Sequence, residues 1–288
     1  DVVTWNVLIA GYIRYDFALE ALKCYDRMEV DGISPDAYTF AFVLKACGTM
    51  GYLNKGQEIH THSQKNRTME QNVVVGNALM DMYVKCDALA KAKEVFDMVK
   101  IRNTVSWNVM IGGYVNHGHD KEALDYFEQM QLMSVPPNQI TFVCVLKACG
   151  STGDSDKGQE IHAQIVKEKL MENDMILSNA VVDMYAKCGL LGKAQEVFEK
   201  LHVRNIISWS ALIAGYVQNG LGREALTCFE KMQSEDFSPD VITFYYILKA
   251  CGDIGDRAKG RQVHEKIVTM GWLEKDIVLG NALIVCEI

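Results

Sequence analysis

Thr4-Trp5-Asn6-Val7-Leu8-Ile9 recurs along the chain as Ser106-Trp107-Asn108-Val109-Met110-Ile111 and again as Ser208-Trp209-Ser210-Ala211-Leu212-Ile213. The three tryptophans are evenly spaced, since 107 − 5 and 209 − 107 are both 102. Two other runs keep the same interval. Lys-Ala-Cys-Gly stands at 45–48, 147–150 and 249–252, and Gly-Gln-Glu-Ile-His or its variant Gly-Arg-Gln-Val-His ends at His60, His162 and His264. A long internal period marks a repeat architecture and governs how every shorter motif is read.

Each module of 102 residues divides into units of 35, 36 and 31 residues. These are 2–36, 37–72 and 73–103, then 104–138, 139–174 and 175–205, then 206–240, 241–276 and a partial unit at 277–288. Apolar residues at helical spacing predict two helices per unit. In the first unit Leu8, Gly11, Tyr12 and Tyr15 mark a helix from about Thr4 to Arg14. Ala21, Leu22, Tyr25 and Met28 mark a second from Ala18 to Val30, ended by Asp31-Gly32 and Ser34-Pro35. In the 36-residue units the first helix follows Thr39, Thr141 or Thr243 and is expected to close at Gly48, Gly150 or Gly252, with Gly51, Gly153 or Gly255 keeping the turn open. Gly11, Gly113 and Gly215 fall inside first helices, where glycine costs about 1 kcal/mol against alanine. Their recurrence predicts close approach by a neighbouring helix. A two-helix unit cannot bury its apolar stripe alone, so the units must stack. The expected fold is all-α, an αα superhelix in one solenoid over 1–288, with the first helices as the inner row.

The composition agrees: 288 residues, 49% hydrophobic, with only four prolines. The apolar runs are short and interrupted, so no membrane-spanning segment is expected. The chain opens at Asp1 and stops at Val285-Cys286-Glu287-Ile288 within the repeated pattern. It reads as a fragment, and the lack of a leader is uninformative. The nine cysteines sit at helical rather than disulfide-scaffold spacings, and Cys47, Cys86 and Cys149 read as small buried hydrophobes in a reducing compartment. The formal charge of −8 counts against a nucleic-acid partner, which usually meets a basic surface, although net charge does not locate charge.

Catalysis needs a constellation that occurs once. Here nearly every suggestive residue recurs, and no glycine-rich phosphate loop follows a strand. His60, His162 and His264 read as half-buried groups bonding between helices. No catalytic residue, metal site, cofactor or small-molecule substrate is expected. The informative polar residues lie at unit starts and ends. Asn6, Asn108 and Ser210 follow the tryptophan, and Asn77, Asn179 and Asn281 occupy the same place in the short units. Asp36, Asn103, Asn138, Asn205 and Asp240 end units, where each can cap the next helix. An amide offers donor and acceptor together, and a hydroxyl a smaller version of both, so a row of them on the inner row suits base edges. Two residues before the aromatic position stands one apolar side chain per unit: Val3, Tyr38, Val74, Val105, Ile140, Ile176, Ile207, Ile242 and Val278. Such a ladder either holds flat bases or packs adjacent units together.

In these units the chain resembles the plant-type pentatricopeptide repeat proteins of the PLS class, with alternating P, L and S motifs, as a fragment without its C-terminal extension. The resemblance rests on Val2-Val3-Thr4-Trp5-Asn6, on Val43-Leu44-Lys45-Ala46-Cys47, on Ile59-His60, and on Asn77-Ala78-Leu79 with Asp81-Met82-Tyr83 and Lys85-Cys86. It implies a right-handed superhelix that binds single-stranded RNA in mitochondria or chloroplasts, one base per repeat. The fifth and last residues of a motif would select the base and the second would sandwich it. Carried over, Asn6 with Asp36 resembles the uracil pair. Asn77 with Asn103, Asn108 with Asn138, and Asn179 with Asn205 resemble pyrimidine pairs, cytosine favoured. Ser210 with Asp240 resembles the guanine pair. Val3, Val74, Val105, Ile176 and Ile207 would stack on bases. Ala41 with Asn72, Val143 with Asp174, and Tyr245 with Asp276 come from L motifs, where the code is weak. The implied tract is U-n-Y-Y-n-Y-G-n, Y being a pyrimidine. Proteins of this class mostly direct cytidine-to-uridine editing, through a further domain or a recruited deaminase-bearing partner. The deaminase signature H-x-E with P-C-x-x-C does not occur in this sequence. The other class of function open to such a solenoid is a scaffold for protein–protein interaction.

Overall fold

The computed structural model describes residues 1–65, 72–171 and 174–271, and all regular structure among them is helical. Sixteen described helices fall in pairs, one pair per expected unit. They are α1 (Val2–Arg14) with α2 (Ala18–Val30), α3 (Ala37–Met50) with α4 (Leu53–Lys65), and α5 (Val73–Lys85) with α6 (Leu89–Met98). Next come α7 (Thr104–Asn116) with α8 (Asp120–Leu132), α9 (Gln139–Thr152) with α10 (Ser155–Lys167), and α11 (Met175–Lys187) with α12 (Leu191–Glu199). Last are α13 (Ile206–Gln218) with α14 (Gly222–Ser234), and α15 (Val241–Ile254) with α16 (Arg257–Thr269). Asp276, Val278, Asn281 and the partial unit 277–288 lie outside the described residues.

Packing divides the chain into two compact units, 1–145 and 146–288. Within the first, α1 packs on α3, α3 on α5 and α5 on α7; within the second, α11 packs on α13 and α13 on α15. Inside each unit the second helix of a pair also packs on the first helix of the pair that follows. The fold is a tandem helix-turn-helix solenoid. The recurrent tryptophan forms the joint between pairs. Trp107 is 2% exposed, with its ring 4.9 Å from Phe96 of the preceding pair and 6.1 Å from Tyr126 of its own. Trp209 meets Phe198 at 4.6 Å in the same way. Edge-on aromatic contacts of this kind add to the area they bury. Arg102 and Arg204 lie over the Phe96 and Phe198 rings, at 4.5 and 5.0 Å, and close the cluster from the loop side.

Every described pair turns through one left-handed residue: Asp16, Gly51, Asp87, Gly118, Gly153, Gly189, Gly220 or Gly255. Glycine fills six of the eight because only it adopts this conformation without a Cβ penalty. This corrects one expectation. The first helix of a 36-residue unit runs through Gly48, Gly150 and Gly252 and ends at the second glycine, three residues later. Gly48 is needed for packing instead, since a Cβ there would lie 3.3 Å from the Met82 backbone and 3.2 Å from the Lys85 side chain.

Two of the three mid-helix glycines meet a neighbouring helix as expected. A Cβ at Gly113 would sit 2.8 Å from Val84, and one at Gly215 would overlap Ala186. At Gly11 nothing lies within 4 Å. His60 and His162 bond between helices through Nδ1 to the Tyr83 and Tyr185 hydroxyls, each at 2.8 Å. Burial, then the nearby Lys91 or Lys193, lowers both imidazole pKa values. Cys47 and Cys149 are fully buried, and burial pushes each thiol up to about 12, while Cys86 is only half-buried.

The glycines make opposite predictions for one substitution. Gly11→Ala should stabilise by about 1 kcal/mol through helix propensity alone. Gly215→Ala should destabilise by about 1–3 kcal/mol, because the methyl overpacks against Ala186 and Leu191. Urea unfolding midpoints of the two variants should therefore move in opposite directions.

Candidate nucleic-acid interface

The last residue of a unit is the N-cap of the next unit's first helix. Asp36 has extended backbone, and its Oδ1 accepts from the Thr39 backbone N–H at 2.8 Å. The Thr39 hydroxyl accepts in return from the Asp36 backbone N–H at 3.1 Å, completing a capping box. The same carboxylate accepts from the Asn6 side-chain amide, at 3.0 and 3.1 Å to its two oxygens. Asn6 Oδ1 accepts from the Thr39 hydroxyl at 2.6 Å. The fifth residue, the last residue and the third residue of the next helix thus form one hydrogen-bonded triad. Burial raises the Asp36 carboxyl pKa, but the bonds from the Thr39 backbone, the Asn6 amide, the Thr39 hydroxyl and the Tyr38 backbone outweigh it and hold the group below the ordinary carboxylate value.

The arrangement recurs with small variations. Asn77 donates to Asn103 Oδ1 at 3.2 Å and accepts from Ser106 at 2.7 Å. Asn108 donates to Asn138 Oδ1 at 2.9 Å and accepts from Thr141 at 2.6 Å. Asn179 donates to Asn205 Oδ1 at 3.3 Å, but the Ser208 hydroxyl turns away to the Asn205 carbonyl at 2.8 Å. Ser210 Oγ lies 2.7 Å from Thr243 Oγ1 and 3.4 Å from Asp240 Oδ1. All five pairs named from the sequence are therefore in contact. Asn6, Asn77 and Asn108 are half-buried, whereas Asn179 and Ser210 are only 8% and 7% exposed.

The two 36-residue units whose last residue is described lack this contact. Ala41 and Val143 have no polar side chain to reach the cap. Asn72 accepts from the Val74 backbone at 2.9 Å, and Asp174 from the Ile176 and Leu177 backbones, both at 3.0 Å. The residues that the sequence reading passed over are the hydroxyls Thr39, Ser106, Thr141, Ser208 and Thr243. The signal for them was present: a Ser or Thr three residues after an Asp or Asn cap.

On the same helices the ladder residues are open to solvent rather than packed between units. Val3, Tyr38, Val74, Val105, Ile140, Ile176, Ile207 and Ile242 are each between 46% and 64% exposed. The first helices are net basic. The eight first helices carry Arg14, Lys45, Lys85, Lys147, Lys187 and Lys249 against only Asp81, Asp183 and Asp253. Lys85 and Lys187 pair with Asp81 and Asp183, while Lys45, Lys147 and Lys249 are exposed and form no ion pair among the described residues. No three His, Cys, Asp or Glu side chains gather as a metal site among the described residues.

Residues 1–49, 102–151 and 204–253 match the profile of the PPR repeat family, and 77–103 and 176–206 match the PPR repeat itself. The chain belongs to the pentatricopeptide repeat family. A chloroplastic pentatricopeptide repeat-containing protein of Arabidopsis thaliana is 35% identical over 285 residues, a match covering 99% of this chain and 33% of that protein. A mitochondrial one from the same plant is 33% identical over 284 residues, covering 99% of this chain and 27% of its own. The chain spans about a third of the length of such relatives. Among solved structures, the pentatricopeptide repeat protein PPR10 in complex with an 18-nt psaJ RNA element superposes with a TM-score of 0.82 at 21% identity, over 94% of this chain and 41% of that one. PPR10 from maize matches with a TM-score of 0.60 at 18% identity, over 99% of this chain and 45% of that one.

The cap and the pair share one residue, which separates their substitutions. Asn103→Ala should lower stability by about 1 kcal/mol through loss of the cap, whereas Asn103→Asp, an equally good cap, should change it little. Urea unfolding of the two variants checks this.

Proposed function

We propose that the chain binds single-stranded RNA sequence-specifically, one base per unit, with its units acting as one solenoid. The observation that carries the reading is the set of five pairs, each beside an exposed apolar residue. Stacking on such a side chain is tolerant of sequence, and hydrogen bonds to the base edge discriminate. The triads leave suitable groups unused. Asn6 spends one N–H on Asp36 and one lone pair on Thr39, keeping one donor and one acceptor. Asp36 adds an acceptor, which suits the N3–H of uracil. Where Asn103, Asn138 or Asn205 replaces the carboxylate, an extra amide donor suits the bare N3 of cytosine. The tract read is then U-n-Y-Y-n-Y-G-n, the L units contributing no letter.

The similarity to PPR10, whose structure was solved with an RNA element, supports this reading. Relatives named as chloroplastic or mitochondrial support an organellar location. The alternation of 35, 36 and 31 residues supports the PLS class and, with it, a role in addressing cytidine-to-uridine editing. On that reading the deamination belongs to a partner or to another domain, and this segment is not itself an enzyme. The positive balance of the first helices favours a polyanion over a protein partner, despite the overall charge of −8.

Anisotropy titration at fixed salt, with an RNA carrying the tract beside a scrambled RNA of equal composition, tests the reading. The tract should bind at least about tenfold tighter, as one or two lost base contacts would dictate. Equal binding to both overturns the base assignments, and no binding by the folded chain favours the protein scaffold. Val105→Asp should weaken binding to every RNA alike, by about 1–3 kcal/mol, the worth of one stacked base.

A further inference from the structure

The buried hydroxyls beside the pairs have a distribution that helix capping alone does not explain. Where the fifth residue carries a short amide or hydroxyl side chain, at Asn6, Asn77, Asn108, Asn179 and Ser210, the third residue of the next unit is Thr39, Ser106, Thr141, Ser208 or Thr243. Where the fifth residue is Ala41, Val143 or Tyr245, that residue is Val75, Leu177 or Leu279. A cap residue, Asn72 or Asp174, is present at the described L junctions too, so the need for a cap does not select the hydroxyl. All five hydroxyl residues are 0% exposed, so they cannot touch RNA themselves.

We propose that this third-position hydroxyl is a positioning residue of the base-reading site, one that decides which hydrogen-bonding atoms the fifth residue presents. The proposal rests on the base-reading function above. In the triads of Thr39, Ser106 and Thr141, the backbone N–H of the cap donates into the hydroxyl oxygen, at 3.0–3.2 Å. The hydroxyl has one proton. Its nearest acceptor is the amide oxygen, at 2.6, 2.7 and 2.6 Å, against 3.0, 3.1 and 3.1 Å to the cap oxygen. The amide is thereby held with Oδ1 on the hydroxyl and Nδ2 on the cap. The remaining N–H and lone pair are fixed in order, as a pyrimidine edge requires.

At Ser210 the same hydroxyl is wired differently. Thr243 Oγ1 lies 2.6 Å from the Asp240 carboxylate and 2.7 Å from Ser210 Oγ. A hydrogen bond to a carboxylate is the stronger of the two, so the Thr243 proton goes to Asp240. Ser210 then donates to Thr243 and keeps lone pairs only. Ser210 and Asp240 together become an acceptor-only pair. Guanine presents two adjacent donors on its pairing edge, N1–H and the N2 amino group, and is the base that matches. Serine by itself could donate or accept; the buried threonine removes the choice. The Ser208 hydroxyl, bonded to the Asn205 carbonyl, leaves Asn179 held by one bond of 3.3 Å, so its position should discriminate least of the five.

The test is anisotropy titration of the full chain with RNAs that differ only at the base facing Ser210, or only at the base facing Asn108. Thr243→Val should reduce the preference for guanine by about tenfold, the scale of a base-edge contact. It should leave the preference at the Asn108 base unchanged, and Thr243→Ser should restore guanine reading. Thr141→Val should do the converse. Thr243→Ala, which has no branched methyl to place, serves if the valine variant fails to fold. A guanine preference that survives in a folded Thr243→Val chain overturns the proposal. So does equal weakening for all bases, the mark of a structural role alone. Ser210→Asn is the control on the underlying reading and should move preference from guanine toward uracil. If it does so while Thr243→Val changes nothing, only the positioning role fails. If the unaltered chain shows no base preference, base reading fails and this role with it.

Discussion

A helix start carries backbone N–H groups that no residue within the helix can satisfy, and meeting that need shapes the rest of this molecule. Asp36, Asn103, Asn205 and Asp240 meet it from nearly the same backbone geometry, with φ between −96° and −139° and ψ within 6° of 180°. The capping side chain is fixed by the helix that follows, whereas its amide or hydroxyl partner is fixed by the helix before. The bond between them therefore spans the junction of two pairs. Whatever sets the distance between neighbouring first helices also sets the geometry of the pair. That links the aromatic joints and tight glycines to the hydrogen-bonded pairs.

The L-to-S junctions are built otherwise. Asn72 and Asp174 cap with ψ of 108° and 96°, and their side chains reach the second backbone N–H of the helix. No polar fifth residue meets them. Instead these junctions concentrate packing devices: Gly48 against Met82, Gly158 against Met184, and the His60–Tyr83 and His162–Tyr185 bonds. Lys91 and Lys193 lie over the two tyrosine rings at 5.9 Å. A histidine kept neutral by burial can bond a buried tyrosine hydroxyl without bringing a charge into the joint. The module thus separates its junctions, with hydrogen-bonded polar triads where a 35- or 36-residue unit begins and dense packing where a 31-residue unit follows a 36-residue one.

Most of this was legible in the sequence because a period of 102 residues overrides local ambiguity. The helix from Ala18 to Val30 was placed to the residue, since its apolar stripe and its Asp31-Gly32 stop agree. The closure at Gly48 was misplaced for a physical reason: glycine serves both as a left-handed stop and as a gap for a neighbouring side chain, and spacing cannot tell the two apart. The φ of 67° at Gly51 and the Lys85 contact at Gly48 do. The five pairs were legible as residue types, and their hydroxyl partners as capping-box residues, but not the bonds between the two. Thr39 and Thr141 look like ordinary helix-start residues until the amide oxygens of Asn6 and Asn108 are seen on their hydroxyls.

The net charge of −8 counts against the proposed RNA partner, and its distribution bears on that proposal. Helix α8 alone carries Asp120, Glu122, Asp125 and Glu128 against Lys121, while α7, its first-helix partner, carries no charged residue. Taken together, however, the second helices carry 16 Lys and Arg against 17 Asp and Glu, so the acidity lies mainly in the turns and caps between helices, Asp36 and Asp240 of the pairs among them. Nucleic-acid affinity that comes from phosphate neutralisation is indifferent to sequence. On the proposed function, a face with three unpaired lysines on its described first helices draws little on that source, and long-range repulsion from the net charge of −8 opposes it further. What remains is stacking and base-edge hydrogen bonding, the second of which depends on sequence. If the proposed function holds, an acidic solenoid with sparsely basic first helices is poorly suited to holding arbitrary RNA and better suited to holding one tract.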